Sequence, residues 1–172
     1  NNIDYFRGSN KNVLDRYYKC ALKYKASLIL RVTADCPLLE YKFIDNFIYK
    51  SQKKIFNYFT NCHNRTYPKG YDLEIFDFKT LEYCKLNAKS KYDKEHVTPF
   101  IIRNLPNSKF GYIKYKKNLY KKYRLTLDYK SDYLVIKNIF DNLYSKDKFF
   151  DLKKIIKYLD KSETWKLNIK NN

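Results

Sequence analysis

Two short stretches of the chain place an arginine, a threonine and an aspartate at alternate positions: Arg31, Thr33 and Asp35 in RVTAD, and Arg124, Thr126 and Asp128 in RLTLD. Alternate residues of a strand share a face, so each set presents all three groups together at a strand end. A guanidinium there can meet a phosphate or a carboxylate. A carboxylate can meet a metal, and Mg²⁺ is commonly held by one or two carboxylates plus substrate phosphates. Asp35 and Asp128 are therefore candidates to share one cation. For Asp35 the alternative is a cap for the helix that follows Pro37.

Two further constellations carry functional groups. In RTYPKGYDLE, residues 65–74, Pro68 and Gly70 predict a turn that lets backbone approach a ligand, and Asp72 and Glu74 share a strand face. Ordinary surface charges around a hairpin-like turn would look the same. Glu95 and His96 precede Val97, Thr98 and Pro99. His96 is one of two histidines, and a lone histidine beside a helix start is more often a hydrogen-bonded structural residue than a catalyst. No second His or Cys stands at metal spacing, which argues against zinc. The chain also lacks a glycine-rich phosphate loop and a GxSxG elbow, which argues against P-loop chemistry and a hydrolase triad.

The elements that must position these residues follow from apolar spacing. Leu28–Val32 reads as a buried parallel strand, and ligands in open α/β sheets bind beyond the carboxyl ends of strands. Helical patterns follow Asn12 (Leu14, Tyr17, Tyr18 and Ala21 on one face) and cover Tyr41–Lys54, with Phe43, Phe47 and Ile48 inward. Others lie at Thr80–Asn87 and Lys94–Asn104. Further strands are expected at Phe56–Thr60, around Leu73, Ile75 and Phe76, at Phe110–Tyr115 and at Tyr123–Leu127. Two amphipathic helices close the chain, one with Leu134, Val135, Ile139 and Leu143, the other after an N-cap position at Asp151 with Leu152, Ile155, Ile156 and Leu159 inward. Alternation of helix and strand predicts an α/β fold. The sheet should be mixed, since some strands follow each other too closely for helical crossovers. One domain over residues 1–172 is expected.

The 172 residues include 36 Lys and Arg against 18 Asp and Glu, a formal net charge of +18. The excess is mostly lysine and is spread along the chain, whereas nucleic-acid modules concentrate charge and favour arginine at gripped phosphates. The nearest approach to such a patch is KYKKNLYKKYR, residues 114–124, whose interleaved tyrosines could stack bases. Four scattered cysteines make no CxxC pair and fit a reducing compartment. No apolar run approaches a membrane span, and no signal peptide opens the sequence.

Five segments, taken in order, resemble one family: residues 6–21 (FRGSNKNVLDRYYKCA), 31–39 (RVTADCPLL), 65–82 (RTYPKGYDLEIFDFKTLE), 95–101 (EHVTPFI) and 124–129 (RLTLDY). Together they look like the spore-coat-polysaccharide type of cytidylyltransferase, related to the enzymes that make CMP-activated acidic sugars. The resemblance implies a three-layer αβα nucleotide-diphospho-sugar transferase-like fold with a mixed, mostly parallel sheet. It implies transfer of CMP from CTP to a sugar with release of pyrophosphate, in the cytoplasm, for surface-polysaccharide or glycan biosynthesis. It implies Mg²⁺ held by Asp35 and Asp128, with Arg31 orienting phosphate or acceptor. Tyr67, Asp72, Glu74, Glu95, His96 and Arg124 would contact substrate.

The family begins with a strand and a phosphate-binding loop, which would precede Phe6. With no methionine in the chain, an N-terminally truncated fragment is the expectation. Expected partners are then CTP and a sugar acceptor, with no membrane and no specific nucleic acid. An uncovered sheet edge would favour a homodimer. Two other readings stay open: a non-catalytic remnant or interaction protein, and a basic nucleic-acid binder whose affinity falls steeply with salt.

Overall fold

The structure, a computed structural model, describes residues 3–54, 56–106 and 109–171. Its helices are α1 (Val13–Lys23), α2 (Tyr41–Ser51), α3 (Phe78–Asn87), α4 (Lys91–His96), α5 (Pro99–Asn104), α6 (Lys130–Leu143) and α7 (Leu152–Ser162). Its strands are β1 (Leu28–Arg31), β2 (Tyr58–Thr60), β3 (Glu74–Asp77) and β4 (Phe110–Tyr112). The chain divides into two compact units, the first made of Asn1–Arg31, Lys54–Phe59 and Ile75–Gly111, the second of Val32–Lys53, Thr60–Glu74 and Tyr112–Asn172.

The first unit holds the body of a four-stranded sheet in the order β1-β3-β2-β4. The sheet is mixed, as the strand spacing predicts. Asp77 N–H donates to Asn57 O, and Asn61 N–H donates to Leu73 O, so β2 and β3 run antiparallel. Asn57 N–H donates to Lys109 O, and Ile113 N–H donates to Thr60 O, so β2 and β4 run parallel. Leu14 and Ala21 of α1, Leu81 and Cys84 of α3, and Ile101 of α5 join Tyr58 and Phe76 in one buried cluster. Asn12 starts α1 as expected, while α3 begins two residues before the expected Thr80, capped by Asp77. Asn12 accepts from Asp15 N–H at 3.0 Å, and Asp77 accepts from Thr80 N–H at 2.7 Å while also receiving Asn57 Nδ2 at 2.8 Å.

The expected helix Lys94–Asn104 is two helices. Val97 has φ 71° and ψ −59°, and Thr98 N–H donates to His96 O at 2.8 Å, a γ-turn that ends α4. Pro99 then opens α5 with a ring already set to helical φ. The Val97 side chain is fully buried, which holds a β-branched residue in this strained conformation.

The second unit packs α2, α6 and α7 with the loops 32–40, 61–73 and 113–129. Its buried residues include Phe43 and Phe47 of α2, Val135, Ile136 and Ile139 of α6, and Leu152, Ile155 and Leu159 of α7. Asp151 caps α7 by accepting from Lys154 N–H at 2.9 Å. The expected strand Tyr123–Leu127 is not one. Its ladder reduces to an isolated parallel bridge between Lys69 and Arg124. Lys69 N–H donates to Tyr123 O, and Leu125 N–H donates to Lys69 O. The segment is spent instead on a side-chain network.

Candidate active site

All the groups in this site belong to the second unit. Asp35 sits in a turn closed by Cys36 N–H donating to Thr33 O. Leu127 N–H donates to Asp35 O at 2.9 Å, which brings the 124–128 segment alongside this turn. The Thr126 hydroxyl then lies 3.2 Å from Asp35 Oδ2 and 3.5 Å from Asp128 Oδ2. Two carboxylates far apart in sequence thus face one buried hydroxyl.

Their environments differ. Asp35 is half-buried. Burial pushes its carboxyl up, but hydrogen bonds from Thr33, its own backbone N–H, Thr126 and Cys36 outweigh that and hold it below the usual carboxylate range. Among the described residues its partners are hydroxyls, a thiol and a backbone N–H, with no cation. Asp128 is 45% exposed and receives Arg124 Nη2 on Oδ2 at 2.5 Å. An ionised carboxylate without a counter-cation, facing a second one that is open to solvent, is a donor set that suits a hard divalent cation with substrate phosphates completing its shell.

Arg124 is 3% exposed and is turned inward. Its Nε donates to both oxygens of Asp132 at 2.9 and 3.1 Å, Nη2 donates to Asp132 Oδ2 at 3.1 Å, and Nη1 donates to Asn171 O at 3.1 Å. The fully buried Asp132 also accepts from Asp128 N–H, Tyr129 N–H and Asn168 Nδ2. Sequence reading missed Asp132 and Asn168. Asp132 had a signal: an acid in the first turn of α6, reaching back to bare N–H groups at the helix start. Asn168, in a tail beyond α7, had none.

In the 65–74 loop, Asp72 pairs with Arg65, whose guanidinium also lies over the Tyr120 ring at 5.5 Å. Burial pushes the Cys36 thiol up to about 11, with Asp35 and Asp72 adding to the effect and Asp72 N–H opposing it, so Asp72 lies beside the Asp35 turn. Glu74 is buried. Tyr67 packs tilted against Phe43 at 4.9 Å and edge-to-face with Tyr115 at 5.4 Å, and burial raises its hydroxyl to about 12. Gly70 has φ 95°, and a Cβ there would stand 2.4 Å from the Leu125 carbonyl carbon and Thr126 N. This glycine is what lets the 65–74 loop press against the strand-like segment that carries Thr126.

Three expected site residues belong to the first unit. Arg31 is the half-buried last residue of β1. Glu95 and His96 are exposed at the end of α4, with His96 against the Tyr92 ring at 4.5 Å. In the basic segment 114–124, Lys122 pairs with Asp160, and Arg124 is consumed by the network above.

Comparison with known proteins places this architecture. Residues 3–164 match the cytidylyltransferase family. The chain belongs to that family. An uncharacterized protein of Methanocaldococcus jannaschii is 36% identical to it over 99% of this chain and 68% of its own length. The spore coat polysaccharide biosynthesis protein SpsF of Bacillus subtilis is 30% identical over 78% of this chain and 56% of its own. The solved structure of a cytidylyltransferase from Leptospira borgpetersenii serovar Hardjo-bovis superposes with a TM-score of 0.85 at 31% identity, over 92% of this chain and 66% of that one. This cytidylyltransferase chain therefore spans between half and about two thirds of these relatives. Its α/β fold with a mixed sheet is the one the motifs imply. No helix among the described residues is long and apolar enough to cross a membrane.

Proposed function

We propose that this protein transfers CMP from CTP to a sugar, releasing pyrophosphate, in cytoplasmic synthesis of surface polysaccharide or another glycan. A hydroxyl oxygen of the sugar attacks the α-phosphorus of CTP. The new P–O bond forms as the bond to the bridging oxygen of pyrophosphate breaks, and the hydroxyl proton passes to solvent. Asp35 and Asp128 are the residues to hold Mg²⁺, which when bound would neutralise charge on the triphosphate and in the transition state. Thr126 keeps the two carboxylates facing each other, and Arg124 orients Asp128 from inside the fold. Tyr67, Asp72 and Glu74 contact the acceptor side.

The observation that carries this reading is the shared hydroxyl between Asp35 and Asp128, with Asp35 held ionised by groups that bring no positive charge. Such a pair has a surplus of negative charge that a divalent cation would balance. The test is pyrophosphate release from CTP with Mg²⁺ and candidate sugars, using the full-length protein. Asp35→Asn keeps the side-chain shape and removes the charge, so it should lower turnover by at least about 100-fold, beyond the loss typical of a supporting residue. Undiminished turnover in that variant would overturn the metal assignment.

A further inference from the structure

We infer that Asp132 and Asn168 are positioning residues for the Asp128 carboxylate, acting through Arg124, so that the tail at residues 164–171 sets the geometry of the paired-carboxylate site. The inference rests on the reading of Asp35 and Asp128 as cation ligands.

A guanidinium is a rigid planar fork, so fixing two of its N–H directions fixes the rest. Asp132 takes Nε and one Nη2 direction of Arg124 and thereby sets the plane of the group. The remaining Nη2 direction meets Asp128 Oδ2. Asp132 Oδ2 also accepts the backbone N–H of Asp128 at 3.1 Å. One fully buried carboxylate therefore holds the next aspartate at both its main chain and, through the arginine, its side chain.

What fixes Asp132 in turn comes from the tail. Asn168 is 1% exposed, and its Nδ2 donates to Asp132 Oδ1 at 2.8 Å and to Arg124 O at 3.0 Å. Its Oδ1 is buried without a hydrogen-bond partner among the described residues. Both acceptors in reach of this amide demand the nitrogen, so the orientation is set by the network at the expense of the oxygen. Asn171 closes the arrangement, its carbonyl accepting Arg124 Nη1 and its Nδ2 donating to Ser131 Oγ at 2.8 Å. The charge pattern follows a consistent direction. Arg124 is shared by two aspartates, and the buried one holds it by two directions, leaving Asp128 only partly neutralised where it faces Asp35.

The test is Mn²⁺ binding to the full-length protein, followed by loss of the free-ion EPR signal, alongside the Mg²⁺ dependence of turnover. Asn168→Ala should weaken Mn²⁺ binding and raise the half-saturating Mg²⁺ concentration by about 10–100-fold, with kcat recovering at high Mg²⁺. A tail that merely supports the fold would lower the melting temperature and leave both metal readings as in the wild type. Ser131→Ala, at a half-buried position, should shift both in the same direction by a smaller factor and serves if Asn168→Ala does not fold. If Asp35→Asn abolishes Mn²⁺ binding while Asn168→Ala and Ser131→Ala bind as the wild type does, the positioning role is overturned and the carboxylate pair stands. If the wild type and Asp35→Asn bind Mn²⁺ equally, the carboxylate reading itself fails and this one with it.

Discussion

The Thr126 hydroxyl lies 3.2 Å from Asp35 Oδ2, across 91 residues of sequence. A side chain that is 3% exposed thus spends its one donor on a carboxylate from another turn, with Asp128 Oδ2 as the alternative acceptor at 3.5 Å. Replacing the hydroxyl by a methyl keeps the shape and removes this link. Thr126→Val should cut Mg²⁺-dependent pyrophosphate release by about 10–100-fold, as loss of a supporting contact does at metal sites. Stability should change by only about 1–2 kcal/mol. Steady-state kinetics with a urea melt on the same protein checks both, and full turnover would show that the hydroxyl does not organise the pair.

Gly70 and Gly111 look alike by crowding but should differ in cost. A Cβ at Gly111 would meet the rings of Phe59 and Phe56, which are side chains able to shift. A Cβ at Gly70 would meet backbone atoms of Leu125 and Thr126, at a φ of 95° that suits glycine. Gly70→Ala should therefore cost about 3 kcal/mol or more, from strain and displaced backbone together. It should also lower turnover in the fraction that folds, because the displaced atoms carry Thr126. Gly111→Ala should cost about 1–3 kcal/mol, the range for core overpacking. Urea midpoints for the two variants decide the order.

The elements were legible wherever a local pattern faces a core. The faces of α1 and α2 and the caps Asn12 and Asp151 follow from periodicity and capping chemistry. The alternation in RLTLD predicts a strand because Leu125 and Leu127 flank Thr126. Only Leu125 is buried, and the backbone of the segment pairs at a single bridge. The pattern still placed Thr126 and Asp128 beside each other correctly, since an extended segment and a strand share the same alternation. The γ-turn at Val97 had no local signal, because a valine with positive φ persists only where burial over-determines it. The partners of Arg124 were hidden for another reason. Its contacts to Asn168 and Asn171 join residues 44 and 47 positions apart, and no spacing rule reaches that far.

Glu40 and Tyr71 give a pH dependence of one sign. Burial pushes the Glu40 carboxyl above the usual 4.5, against the opposing hydrogen bonds from Tyr71 and the Leu152 backbone. The buried Tyr71 hydroxyl lies 2.8 Å from Leu38 O and 3.0 Å from Glu40 Oε2. Below the ordinary value the carboxyl is protonated in both folded and unfolded chains. As pH rises from there through the folded value, the unfolded chain releases its proton first, so stability falls. Glu40→Gln keeps a hydrogen-bonding group and removes the titration. It should match the wild type at acid pH and exceed it at neutral pH, as measured by urea midpoints across that range.

Asp132 gives the opposite sign. Burial pushes its carboxyl up, but hydrogen bonds from Arg124, Asn168 and the N–H groups of Asp128 and Tyr129 outweigh it and hold the group below the usual 3.8. The unfolded chain therefore binds the proton more readily. The stabilisation is present in full above the ordinary value and is lost as pH falls through the folded one. Asp132→Asn leaves Arg124 buried beside a neutral partner, which at neutral pH should cost about 3–5 kcal/mol. In acid the same variant should lose stability less steeply than the wild type, by up to about one bound proton in the slope of unfolding free energy against pH. Asp15 and Asp93, also held low by their partners, keep the remaining slope in both proteins. Parallel acid limbs for the two proteins would mean that the Arg124–Asp132 pair does not stabilise the fold through its charge.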